Sequence, residues 1–333
     1  MRPLSATKNA RRGLPELPLA QWERTKDTLH LWAQIVGKVR MASTAPRNHW
    51  WHVPLYVDVR GLTTRRMHAE NDVAFEIDFD FVDHRLVVAT DRGDVESFEL
   101  ADGLSVADFD EKLHATLAGL EIDVPILEQP YHVPTTTPFP EDRRHASYDR
   151  DAVERFWHVL EWTDGVLEEF AGWYCGKSSP VHLFWHGLDL AYTRFGGGRA
   201  PARPDADPVD REAYSHDVIS FGFWPGDANV REPTYYSYTA PEPAGLREQP
   251  LQPDEAHWAA QGSGSLALLP YDAVQQALDP RAALLTFLES AYRAGASLAG
   301  WDQSALASSW CPSPSQLSGL RARLEPTTQG ADE

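Results

Sequence analysis

Phe75-Glu76-Ile77-Asp78-Phe79-Asp80-Phe81-Val82 decides the fold class. Strict alternation puts Phe75, Ile77, Phe79 and Phe81 on one face of a strand and Glu76, Asp78 and Asp80 on the other. A strand with one buried face and one solvated face in an antiparallel sheet has this pattern. Downstream, Arg85 to Thr90 reads as a second strand, Asp91-Arg92-Gly93-Asp94 as a hairpin turn and Val95 to Leu100 as a third. Helical periodicity brackets the strands. Leu29, Trp32, Ala33, Val36 and Val39 predict a helix capped by Thr25 and running to about Ala42, with one apolar stripe and charges opposite. Ser105 caps a shorter helix striped by Val106, Phe109, Leu113 and Leu117.

The second half repeats this order. A long helix starts at Asp149 or Asp151 and carries Val153, Phe156, Trp157, Leu160, Val166, Leu167 and Phe170 on its apolar side. The aromatic and histidine-bearing run Ser179–Phe195 follows as a strand or strand pair, then strands at Val218–Trp224, Thr234–Thr239 and Gly264–Leu269, and a helix opened by Asp279-Pro280. The shared order suggests an internal duplication, with Asn48–Val59 as the counterpart of Ser179–Phe195 and the two lying near each other across a pseudo-two-fold axis. The fold expected is α+β: an antiparallel sheet, or two related sheets, flanked by long amphipathic helices. The divisions are a loose tail over 1–13, a first half over 14–127, a linker over 128–150 with prolines 130, 134, 138 and 140, a second half over 151–302, and a loose tail over 303–333.

Charge and cysteine usage exclude several function classes. The net charge of −19, from 49 acidic and 30 basic side chains, repels a phosphate backbone and an anionic membrane alike, so neither nucleic acid nor membrane is an expected partner. No leader pattern and no apolar run of membrane-spanning length is present. Cys175 and Cys311 make neither a thiolate metal cluster nor a disulfide framework, which suits a cytoplasmic location. Twelve tryptophans, many beside histidine, imply large buried faces or a ring-lined pocket.

The histidines carry the candidate chemistry. His182 and His186 on one strand would stand roughly 13 Å apart, too far to share an ion. A pocket where His49, Trp50, His52, His182, Trp185 and His216 converge would bind a small molecule, or serve an enzyme of unidentified reaction and cofactor. His52 or His182 would then be the general base, with Asp189 orienting it. One alternative is a metal-dependent hydrolase using His49, His52, His182 and His216; another is a protein-interaction module with exposed aromatics. Gly172-Trp173-Tyr174-Cys175-Gly176-Lys177-Ser178 departs from a phosphate loop, having three residues between its glycines where four are needed.

Several strings together, Thr25–Trp32, Asn48–Tyr56, Phe75–His84, Lys177–Trp185 and Ala213–Ser220, resemble an uncharacterised bacterial family, domain-of-unknown-function family 5996, over about Leu14 to Asp302. The resemblance implies a cytoplasmic bacterial protein and no particular activity. His49, His52, His182 and His216 match the family pattern, His186 less well.

Overall fold

A computed structural model describes residues 13–308, apart from 203 and 263; the expected tails, in the main, and Cys311 lie outside them. The first helix, α1 (Leu19–Ala42), begins six residues before Thr25. Pro18 precedes it, and Thr25 is turned inward, its hydroxyl accepting from the Asp149 amide. The predicted single apolar stripe is wrong. Every residue from 31 to 40 is buried, including Gln34, Lys38 and Arg40, so this part of α1 is packed on all sides.

The chain then builds two six-stranded antiparallel sheets. In the first, β1 (Tyr56–Asp58), β2 (Gly61–Thr63), β4 (Ala74–Asp80), β5 (Arg85–Thr90) and β6 (Val95–Glu99) lie in the order β1-β2-β4-β5-β6, with β3 (Met67–His68) also paired to β4. Phe75, Ile77 and Phe79 are buried as their alternation predicts. The acidic face of β4 is less wet than expected: Asp80 is buried and accepts from Arg60 Nε at 2.7 Å and from the Val82 and Asp83 amides, closing the turn. After α2 (Val106–Gly119, capped by Ser105 as predicted), residues 128–149 cross the molecule as a packed strap, with Phe139 and Tyr148 buried.

Asp149 caps α3 (Arg150–Gly172). The second sheet follows in the order β11-β12-β10-β9-β8-β7, from β7 (His182–Phe184), β8 (Asp189–Arg199), β9 (His216–Trp224), β10 (Thr234–Ala240), β11 (His257–Gln261) and β12 (Gly264–Pro270). A short α4 (Pro208–Ala213) precedes β9, and α5 (Tyr271–Gln275), α6 (Pro280–Leu298) and α7 (Gln303–Leu306) are the last elements of the described residues. The aromatic run is therefore a strand pair. Trp185 to Leu188 form its turn, so His182 and His186 do not share a strand.

The two aromatic–histidine stretches meet. Leu55 and Leu183 form an antiparallel bridge, exchanging N–H···O bonds of 2.9 and 2.8 Å. Such a doubly bonded pair has a local two-fold axis, and the residues around it, Val53-Pro54-Leu55-Tyr56 and Val181-His182-Leu183-Phe184, match as Val-x-Leu-aromatic. The two sheets differ in strand order. One hydrophobic core, from Leu17 to Trp301, runs through both halves.

Trp185 wedges against α1 at Gly37, where an added Cβ would lie 2.2 Å from the indole Cδ1, and its Nε1 donates to the Val53 carbonyl at 3.0 Å. Gly37→Ala is thus expected to lower stability by about 2 kcal/mol in urea unfolding, because overpacking outweighs the helix-propensity gain of about 1 kcal/mol. Gly165→Ala on α3, with nothing within 4 Å of the new methyl, should gain up to about that amount. Equal effects of the two substitutions would refute the wedge.

Candidate functional site

The bridge at Leu55 carries the preceding loop and the flanks of β7 together, so the predicted histidines gather along one seam. They do not converge on one point. Two clusters form, one on each side of the loop 47–56.

The first cluster is cationic. Arg40, buried at the C-terminal end of α1, donates through Nη1 to the Thr64 carbonyl, and its guanidinium carbon lies 5.5 Å from the Tyr56 ring centre. Arg65, exposed, lies over the same ring at 3.5 Å. His182 is 1% exposed, 6.3 Å centre to centre from Tyr56 and 4.7 Å from Phe184. Neither of its ring nitrogens has a partner, and the buried Nε of Arg40 has none either. Desolvation first, then Arg40 and Arg65, push the imidazole down to about 3. His52 is buried beside them, its Nδ1 accepting from the Arg47 amide at 3.2 Å and its ring stacked on Trp50. Burial, then Arg40, lower its affinity for a proton too.

The second cluster centres on His49. His49 and Trp50 both have left-handed backbone (φ 55 and 61), a costly conformation for side-chain-bearing residues, and here the His49 amide donates to Glu212 Oε1 at 3.0 Å. The His49 ring donates from Nδ1 to the Glu212 carbonyl at 3.2 Å and receives Lys177 Nζ on Nε2 at 2.7 Å. His216 lies edge-on to His49 at 5.4 Å and is held by Ser215 Oγ. The Trp50 indole donates to the Val209 carbonyl.

Two predicted site residues go elsewhere. Trp185 serves packing at Gly37. Asp189 accepts a hydrogen bond from the Tyr236 hydroxyl, and the imidazole its charge acts on is His186, so it orients neither His52 nor His182. The general-base role expected of His182 finds no support, because an imidazole whose pKa is pushed down to about 3 is too weak a base to take a proton near neutrality. Among the described residues no three His, Cys, Asp or Glu side chains come together to hold a metal ion, so the four-histidine metal site does not assemble. The described tryptophans, tyrosines and phenylalanines are all buried or half-buried. Arg40, Arg65, Lys177 and Glu212 were missed in the sequence, where the spacing of an isolated basic or acidic residue carries no signal.

The family model described as "Family of unknown function (DUF5996)" matches residues 14–308. The chain belongs to that family. No curated protein and no solved structure matches it. Among the described residues of this DUF5996 member, no helix is long and apolar enough to cross a membrane.

The neutral state of His182 makes stability acid-sensitive. Its folded pKa, about 3, lies below the ordinary 6.5, so its contribution is complete above pH 6.5 and is lost as pH falls toward 3. Between pH 6.5 and 4.5 this group alone should cost on the order of 2–3 kcal/mol. His182→Phe should flatten that part of the acid limb in urea titrations; an unchanged slope would contradict the burial of a neutral imidazole.

Proposed function

We propose that the protein binds a small anionic molecule where Arg40, Arg65, Tyr56 and His182 meet, with His52 and Arg47 at the margin. The observation that carries this reading is a fully buried imidazole with both nitrogens unpartnered, next to a buried guanidinium with a free Nε. Buried polar groups are ordinarily satisfied, and an unsatisfied one costs about 1–3 kcal/mol. Among the described residues no carboxylate forms an ion pair with Arg40, Arg47 or Arg65, although the chain carries 49 acidic side chains. A phosphate or carboxylate group supplies the missing negative charge and acceptors. The neutral imidazole offers it one donor and one acceptor. Exposed Arg65 and Arg47 flank the buried groups and would draw an anion in. The ligand set is thus His182 and His52 from the predicted residues, joined by Arg40, Arg65 and Tyr56, with Trp50 backing His52.

Thermal unfolding in inorganic phosphate, sulfate or succinate, against chloride at equal ionic strength, tests the reading. At about 100 times Kd a bound anion adds about 2.7 kcal/mol, enough to raise Tm by roughly 5 °C in a chain of this size. Arg40→Met should abolish the shift, and Arg85→Met, whose side chain bonds Ser97 on the far sheet edge, should keep it. No shift with any of these anions, or a shift that survives Arg40→Met, would refute the proposal.

A further inference from the structure

The second cluster has the parts of an amine nucleophile and its base. Lys177 is exposed, yet its Nζ is turned onto His49 Nε2 at 2.7 Å, within the 2.6–3.2 Å reach expected of a nucleophile and its base. A third group orients the base: the Glu212 carbonyl takes the Nδ1 proton of His49, which leaves the Nε2 lone pair facing the lysine, and the Glu212 carboxylate holds the His49 amide. Phe195 and Trp51 flank the amine at 4.6 and 5.4 Å and supply an apolar wall. No carboxylate lies within ion-pair distance of Lys177 among the described residues. Of the other described lysines, Lys26 pairs with Asp27, Lys38 is buried, and Lys112 is exposed.

We infer that Lys177 is a reactive amine that condenses with a small apolar aldehyde to form an imine, with His49 as its proton acceptor and donor. The Lys177 ammonium passes a proton to His49 Nε2. The freed amine adds to the carbonyl carbon, and the resulting carbinolamine expels its hydroxyl as water, using the proton that His49 returns. The ammonium and the aldehyde thus become a protonated imine and one water, with no oxidant or reductant needed. Desolvation, the main influence on this amine, favours the neutral form, and the nearby charge of Glu212 opposes it. The inference does not rest on the anion site, from which it shares no side chain.

Treatment with propanal and sodium cyanoborohydride traps the imine as a stable propyl adduct that peptide mass mapping can locate. In the folded protein Lys177 should label at least about tenfold faster than Lys112, a part of the roughly 10²–10⁴-fold that a positioned base can supply. The ratio should fall to about one in urea. His49→Gln should slow Lys177 several-fold and leave Lys112 unchanged. Equal rates at Lys177 and Lys112 in the folded chain overturn the inference whatever the variant does. A folded His49→Gln protein that labels as fast as the parent overturns the role of His49.

Discussion

Burial of α1 on every side over residues 31–40 is the constraint on which the rest of the structure depends. A helix that enters the interior with Thr25, Lys26, Thr28, Gln34 and Arg40 must find partners there, because unpaired polar groups in a dry interior cost more than their burial returns. The surrounding segments are arranged as those partners. Gln34 bonds both the amide and the carbonyl of Tyr131 at 2.8 Å, as a neighbouring strand would. Thr25 and Thr28 hold the strap near 147–149, and Lys26 reaches the Gly226 carbonyl between β9 and β10. Arg40 ties the helix end to Thr64 beside β2. Strap and both sheets are thereby fixed to one element. The arrangement leaves the Trp22 and Trp32 indole nitrogens and the Arg40 Nε without partners, and of these the Arg40 Nε lies at the candidate site.

The seam shows how one residue type takes opposite states within a short span of chain. His49 is engaged at both nitrogens, to a carbonyl and to an ammonium. His182 has no partner at either and is kept neutral by burial and by the guanidinium groups around it. An acidic chain has gathered Arg40, Arg47 and Arg65 here with none of them in an ion pair among the described residues. Those unpaired arginines, more than the histidines, distinguish the seam from ordinary core.

Periodicity made the strands and helices legible, since Phe75, Ile77 and Phe79 or Val106, Phe109 and Leu113 bury the face their spacing implies. It misled for α1, because a helix packed on all sides keeps polar residues wherever a partner exists, and the partners come from residues about 100 positions away. The same gap in reach explains the site. His49, His52, His182 and His216 stood out as residues beside aromatics, but whether they meet depends on the Leu55–Leu183 pairing and on a left-handed backbone at His49 and Trp50. Asp189 is near His182 in sequence, but the turn at 185–188 and the register Tyr236↔Gly222 bring it to a tyrosine. Asp78 and Asp80 share a face as alternation requires. Only the fold shows that Asp80 is buried and that Asp78 is pushed up to about 6, chiefly by desolvation.

The Leu55–Leu183 bridge also bears on self-association. Strands β1 and β7 end their respective sheets, and an open strand edge is a template for pairing with another chain. The single Leu55–Leu183 pair occupies the edge of β7 at Leu183 and the chain just before β1. Of the two edges left, β6 presents Glu96 and Glu99 among exposed or half-buried positions, so a second chain approaching there meets fixed negative charge. The contact that assembles the seam therefore also takes up backbone groups that would otherwise stand open at a strand edge.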